Sequence, residues 1–278
     1  MFGKNEIVGK KYFKDNDGKF LVTSMFYTIQ GEGPYAGKPA FFIRLAKCNL
    51  ACSFCDTYFD SGQWMSLEDI DEKMDEMLSL YFEGNPPAWV DQRRMVLVLT
   101  GGEPTLQNIN ELLEYFSDFR YTQIESNGIL FPKLPDTTTF VVSPKCVEKK
   151  GEAIKYIEPS DDVKERADCL KFVITADENS LYHTIPDWAF DWRDQYRGEI
   201  YVSPMNMYNR EPKAAKLLKG NGETTLEERS LIDEVISFWE PGLLDLKANE
   251  ANHAYAADYA MKHGLRVNLQ MHLYLGKA

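Results

Sequence analysis

Met95-Val-Leu-Val-Leu99-Thr100-Gly101-Gly102-Glu103-Pro104 is the stretch from which the fold follows. Its five apolar residues have no polar face and are too few for a helix, so they read as a strand covered on both sides, as strands of parallel sheets are. Thr100, Gly101 and Gly102 end it. Adjacent glycines also let backbone approach a ligand closely, and Glu103 offers a carboxylate that can neutralise an ammonium group. Taken alone, a Gly-Gly pair at a strand end is more often a plain turn.

On either side, strand-like and helix-like segments alternate. Residues 20–29 and 40–46 are rich in β-branched, aromatic and other apolar side chains, with a Gly/Pro-rich loop between them. Leu67, Ile70, Met74, Met77, Leu78 and Tyr81 have helical spacing behind Ser66, which forms a capping-box pattern with Asp69. Further strands are expected at 121–125, 138–142, 169–174, 199–202 and 265–269. Helices are expected at 109–116, at 225–238 with Glu228 completing a Thr-x-x-Glu box, and at 250–263 closed by Gly264. Repeated strand, loop and helix units predict an α/β fold: a partial, incompletely closed (β/α) barrel of about six units, mostly parallel, with its site at the C-terminal strand ends. The acidic, Pro-containing segments 83–91 and 185–197 read as peripheral insertions, and residues 1–278 as a single domain.

Composition narrows the function. Forty-three acidic against thirty-one basic residues give a net charge of -12, which disfavours tracking along nucleic acid or docking on an anionic membrane and favours a small-molecule substrate. No run approaches the ~18 apolar residues of a membrane span, and residues 1–20 lack a signal-peptide core. A soluble, cytoplasmic protein is expected.

Three of the five cysteines crowd into Cys48-Asn-Leu-Ala-Cys52-Ser-Phe-Cys55, directly after a strand. In a reducing compartment this layout suits metal ligation better than disulfides. A [4Fe-4S] cluster held by three thiolates would keep one iron open to an outside chelator, which is a catalytic feature. Zinc is the alternative, although no second Cys or His pair stands at suitable spacing; three buried small hydrophobes are the bland one. Cys146 and Cys169 are isolated and read as core.

Cys-x3-Cys-x2-Cys with the aromatic Phe54 before the last Cys resembles the radical S-adenosylmethionine (SAM) superfamily, and Gly101-Gly102-Glu103-Pro104 resembles its GGEP motif. Glu125-Ser126-Asn127-Gly128 sits at another predicted strand end, where the superfamily contacts the SAM ribose. Gln30-Gly31-Glu32-Gly33, Phe42-Ile43-Arg44-Leu45, Cys55-Asp56-Thr57, Ser143-Pro144-Lys145, Ser203-Pro204-Met205-Asn206 and Gln270-Met271-His272 follow in the order of the 7-carboxy-7-deazaguanine synthase family. The resemblance samples nearly the whole chain. It implies conversion of 6-carboxy-5,6,7,8-tetrahydropterin to 7-carboxy-7-deazaguanine with release of ammonia, using a [4Fe-4S] cluster, SAM and Mg2+. It also implies a homodimer and an electron donor such as flavodoxin or ferredoxin.

Carried onto this sequence, the resemblance assigns the cluster to Cys48, Cys52 and Cys55, and Mg2+, a hard cation that takes oxygen ligands, to Thr57. Cofactor contacts fall on Phe54, Asp56, Gly101, Gly102 and Glu103, on Glu125 and Asn127, on Ser143 and Lys145, and on Ser203 and Asn206. Ser203 to Asn206 departs from the family's usual Gln-Pro start. Substrate contacts fall on Ile29, Gln30, Gly31 and Glu32, on Arg44 and Thr100, and on His272 and the carboxylate of Ala278. A carboxylated pterin calls for a fork-shaped cation and several fixed polar groups, which Arg44 and the 30–32 loop offer. A glycyl-radical activating enzyme and a non-catalytic Fe-S or zinc module are the readings from other classes.

Overall fold

The computed structural model describes residues 7–13, 17–207 and 245–275. The expected helix at 225–238 and the expected contact of Ala278 lie outside these residues. Strands β1 (Phe20–Ile29), β2 (Pro39–Leu45), β3 (Gln63–Met65), β4 (Val96–Gly101), β5 (Tyr121–Ser126), β6 (Thr138–Val142), β9 (Cys169–Ile174), β10 (Glu199–Pro204) and β11 (Arg266–Val267) form one sheet in the order β11-β10-β9-β6-β5-β4-β2-β1-β3. From β2 to β11 every pairing is parallel; β1 alone runs antiparallel to β2 and β3. Among the described residues the curled sheet has no ladder joining its two ends, which is the incompletely closed barrel expected.

Side-chain alternation along these strands separates two environments. Phe41, Ile43 and Leu45 of β2, Leu97 and Leu99 of β4, and Leu170, Phe172 and Ile174 of β9 face outward. There they pack on α1 (Leu67–Tyr81), α3 (Ile109–Tyr115), α4 (Asp161–Arg166), α5 (Asp187–Tyr196) and α6 (Leu246–His263); a four-residue turn of helix, α2 (Ala88–Asp91), adds Val90. The opposite face fills the lumen with Phe26, Phe42, Val96 and Val98 on one side and Val141, Cys169 and Tyr201 on the other. Two residues further along the same strands stand Arg44, Thr100, Ser143, Lys171 and Ser203. A packed apolar floor therefore carries a polar layer at the C-terminal rim, as in barrels whose sites sit there.

α1 starts as its sequence dictates, with Asp69 N donating to Ser66 Oγ at 3.1 Å and Ser66 N to Asp69 Oδ2 at 2.8 Å. α6 begins one turn earlier than expected, because Asp245 caps it by accepting from Ala248 N at 2.8 Å. The segment 185–197 is corrected: it is not a peripheral insertion, since Ile185, Ala189 and Trp192 belong to the main core and α5 is the crossover between β9 and β10. Its acidic residues cover only the solvent face. The strand expected at 265–269 shrinks to Arg266–Val267, because Asn268 turns its amide to Ser203 Oγ (2.8 Å) and Gly33 N (2.7 Å). An unanticipated hairpin, β7 (Cys146–Lys149) and β8 (Glu152–Tyr156), turns at Lys150-Gly151, both with positive φ.

Candidate active site

A cavity of about 230 Å³ opens at the rim of the lumen, walled by the cysteine loop on one side and residues 268–274 on the other. Cys48, Cys52 and Cys55 all line it. Burial pushes the Cys52 thiol up to about 11 and Cys55 to about 12, with Cys48 raised further. Thiols so placed are inert unless a metal centre holds them as thiolates. Among the described residues no three His, Cys, Asp or Glu groups converge on one ion. A cluster needs only one thiolate per iron. The donor set and Leu50 N, which donates to Cys48 Sγ at 3.4 Å, fit a cluster.

Gly102 packs against the loop's entry so closely that a Cβ there would overlap the Lys47 carbonyl and lie 3.1 Å from Cys48 N. Behind it, Glu103 departs from the expected role, because its carboxylate does not reach the cavity. It is fully buried and accepts from Thr105 N (3.0 Å), Thr105 Oγ1 (2.6 Å), Ser126 Oγ (2.8 Å) and Asn127 N (2.7 Å). Burial pushes it above the usual carboxylate range against those donors. Glu103 thus clamps the end of β4 to the end of β5. Asn127 continues the clamp, its Nδ2 donating to Asn49 Oδ1 of the cysteine loop at 2.7 Å.

The polar layer holds an ion group that the sequence reading missed. Lys171 Nζ donates to Glu125 Oε2 at 2.8 Å and to Glu32 Oε2. Glu125 Oε1 also accepts from Gln30 Nε2 (3.1 Å) and Gln123 Nε2 (3.0 Å). Burial alone would pull the ammonium down, yet Glu125 and Glu32 hold it above its ordinary value. A lysine in the strand Cys-Leu-Lys-Phe-Val-Ile was the available signal, since alternation puts residue 171 opposite its apolar neighbours. Nearby, Asp56 Oδ1 accepts from Thr57 Oγ1 at 3.1 Å and Asp56 Oδ2 from Gln270 Nε2 at 3.0 Å. Burial opposes its charge, but Gln270, Arg44 and Thr57 hold it below the usual range. Lys145 Nζ donates to Ser143 O (2.7 Å) and Oγ (2.5 Å), and burial lowers it.

His272 lies on α7 (Met271–Tyr274), whose first amide donates to Gly31 O at 3.3 Å. A Cβ at Gly31 would strike the His272 ring and lie 2.9 Å from Met271 N, so only glycine permits this approach. The Nδ1 atom is buried without a hydrogen-bond partner among the described residues. Burial first and Arg44 second depress the imidazole to about 4, so it is neutral at physiological pH. The unfolded chain therefore binds more protons than the native one between pH 6.5 and 4. Stability is full above 6.5 and is lost as pH falls towards 4, by about 2–3 kcal/mol. His272→Asn is expected to flatten that part of the acid limb, read from urea midpoints across pH; an unchanged limb would refute the assignment.

Most of the expected residues thus meet in one cavity: the three cysteines, Phe54, Asp56, Thr57, Gly101, Gly102, Gln30, Glu32, Arg44, Thr100, Glu125, Asn127, Ser143, Lys145, Ser203, Asn206 and His272. Ile29 and Gly31 do not line it; Gly31 acts through its contact with His272. Missed besides Lys171 were Ser126, Asn268 and Tyr274.

No family model matches the chain. It is 31% identical over 279 residues to the 7-carboxy-7-deazaguanine synthase of Rickettsia prowazekii, covering 99% of this chain and 95% of that protein. The chain belongs to the 7-carboxy-7-deazaguanine synthase family. A synthase of Halobacterium salinarum is 27% identical over 98% of this chain and 96% of its own length. The crystal structure of QueE from Escherichia coli superposes with a TM-score of 0.53 at 19% identity, over 96% of this chain and 100% of that one, and so shares the fold.

Proposed function

We infer that this chain is a radical SAM lyase that converts 6-carboxy-5,6,7,8-tetrahydropterin to 7-carboxy-7-deazaguanine with loss of ammonia, a step toward 7-deazapurines such as queuosine. The observation that carries this reading is that one cavity joins the three-cysteine loop to Arg44 and to the Glu32–Lys171–Glu125 group. Family membership supports the same reading. Cys48, Cys52 and Cys55 would hold a [4Fe-4S] cluster, and the chemistry such a cluster would supply when bound is the single electron needed for reductive cleavage of SAM.

This chain's own residues bind, orient and shield. Arg44, held 4.7 Å over the Phe26 ring, offers a planar fork to the pterin carboxylate. Neutral His272, whose Nδ1 has no partner among the described residues, and the 30–32 loop offer donors and acceptors to the pterin ring. Ser143, Lys145, Glu125, Asn127, Ser203 and Asn206 line the part assigned to SAM. Thr57, which lines the cavity and whose Oγ1 donates to Asp56 Oδ1, suits Mg2+, which takes few protein oxygens and keeps several waters. The apolar floor of Phe42 and Phe59 excludes water from beneath the site. A homodimer, a cytoplasmic location and an electron donor such as flavodoxin or ferredoxin complete the proposal, as does the whole chain acting as one domain. No helix among the described residues is long and apolar enough to cross a membrane.

The test is anaerobic reconstitution followed by pterin, SAM, Mg2+ and dithionite. Stoichiometric ammonia and 7-carboxy-7-deazaguanine are expected, and Thr57→Ala should weaken Mg2+ activation without loss of iron. SAM cleavage with no pterin turnover, or none at all, would overturn the reading.

A further inference from the structure

We propose that Lys171 is the positioning residue that divides the work of the two buried carboxylates it bridges, fixing Glu125 as a permanent carboxylate and leaving Glu32 as the group that takes up and returns a proton while ammonia is lost. The inference rests on the reaction proposed above and adds to it a role for two residues of the same site.

The two carboxylates differ in what they touch. Glu125 accepts three donors, from Lys171, Gln30 and Gln123, so both of its oxygens are committed to the protein. Glu32 accepts one side-chain donor, Lys171, on Oε2, and no hydrogen bond to the protein holds Oε1 among the described residues. Both line the cavity, and the side chains of Glu32, Glu125 and Lys171 are 12%, 14% and 10% exposed, so one ammonium faces two carboxylates with little water to help. Two ionised carboxylates and one ammonium leave an excess negative charge in a dry site, so the group is disposed to take up a single proton during turnover. That proton belongs on the less-bonded partner. The directions agree: Glu125 is held below the usual carboxylate range despite burial, by Lys171 and the two amides, whereas burial raises Glu32, with Lys171 opposing and Glu125 adding to the rise. Paired titratable groups whose surroundings drive them apart are the mark of an acid/base assignment.

Other charges facing Glu32 are fixed. Asp56 of the cysteine loop is held ionised, His272 of α7 is neutral, Arg44 of β2 is a permanent cation, and Lys145 lies beyond Lys171. None of them hydrogen-bonds to Glu32 among the described residues. In the proposed step a proton leaves a ring N–H or C–H of the substrate for Glu32 Oε1, the freed pair forms a double bond within the substrate, and the C–N bond to the departing nitrogen breaks with its pair going to that nitrogen. The same proton then passes to the lone pair of the departing nitrogen, which restores the Glu32 carboxylate. Glu32 is unchanged at the end, and no oxidant or reductant is consumed in the exchange.

Lys171→Met, Lys171→Arg and Glu32→Gln test this through the pH dependence of kcat/KM and through infrared titration of the buried carboxyl band, which needs no turnover. Lys171→Met is expected to lower kcat by about 100-fold. It should also move the acidic limb, and the carboxyl band with it, up by about one pH unit, because the cation that favours ionised Glu32 is gone. Lys171→Arg should leave the limb in place, and Glu32→Gln should remove both limb and band. A limb that survives Glu32→Gln, or a band in Lys171→Met that titrates where the parent's does, overturns the proposal. Should Lys171→Met fail to fold, the Arg and Gln variants decide it. Should the parent enzyme make no product, the proposed reaction fails, while the infrared titration still decides whether Lys171 sets the ionisation of Glu32.

Discussion

Alanine at Cys48, Cys52 or Cys55 abolishes SAM cleavage and drops the iron of the reconstituted protein well below the about four atoms of an intact cluster. Each thiol is expected to hold a different iron, so two thiolates cannot substitute for three. Cys146→Ala and Cys169→Ala keep their iron. Both side chains are almost fully buried, Cys146 in the main core and Cys169 against Val141 and Tyr201, so their loss costs packing, about 1–2 kcal/mol each. Iron content, the visible absorbance of the cluster and release of 5'-deoxyadenosine separate the two groups. Retained iron in Cys52→Ala, or a zinc-loaded colourless protein, would contradict the ligand set.

Glu103→Leu destabilises the fold by about 3–5 kcal/mol, because it strands two backbone amides and two hydroxyls that now converge on one buried carboxylate. At about 2–4 °C per kcal/mol for a chain of this size, the melting temperature falls by roughly 10 °C. Glu103→Gln keeps one acceptor and loses less. The measurement is denaturant unfolding of the apo protein, where a cofactor contact would have no effect. If Glu103→Leu unfolds like the parent and only SAM affinity drops, the carboxylate serves the cofactor and not the β4–β5 clamp.

How legible this was depends on how local each signal is. The strand at 95–99, the capping box at Ser66 and the three-cysteine loop announce themselves within a few residues, and the structure places each where the pattern implies. Most of the residues to which the resemblance gave ligand roles also line one cavity, with Ile29, Gly31 and Glu103 outside it. What stayed hidden depends on partners distant in sequence. Lys171 looks like a stray charge in an apolar strand until Glu32, 139 residues away, and Glu125, 46 away, face it. Glu103 reads as a ligand for a cationic group because its four donors come partly from another strand. The segment 185–197 reads as an insertion because Pro186 and three aspartates interrupt its apolar residues, although Ala189 and Trp192 stand three residues apart on one face. Periodicity in that short a window is too weak to outweigh composition.

The open edge of the barrel bears on how ligands come and go. Between β1 and β11 the wall is closed by the bonds of Gly33 N to Asn268 and Met271 N to Gly31 O, with Gln270 reaching across to Asp56, and not by a strand ladder. The first of these joins residues 235 positions apart. Each such bond is worth only about 1 kcal/mol net, so this seam can part while every strand pair of the sheet stays intact. A seam held by so few hydrogen bonds is the part of the wall expected to open first, and its reclosure brings the His272 ring back onto Gly31.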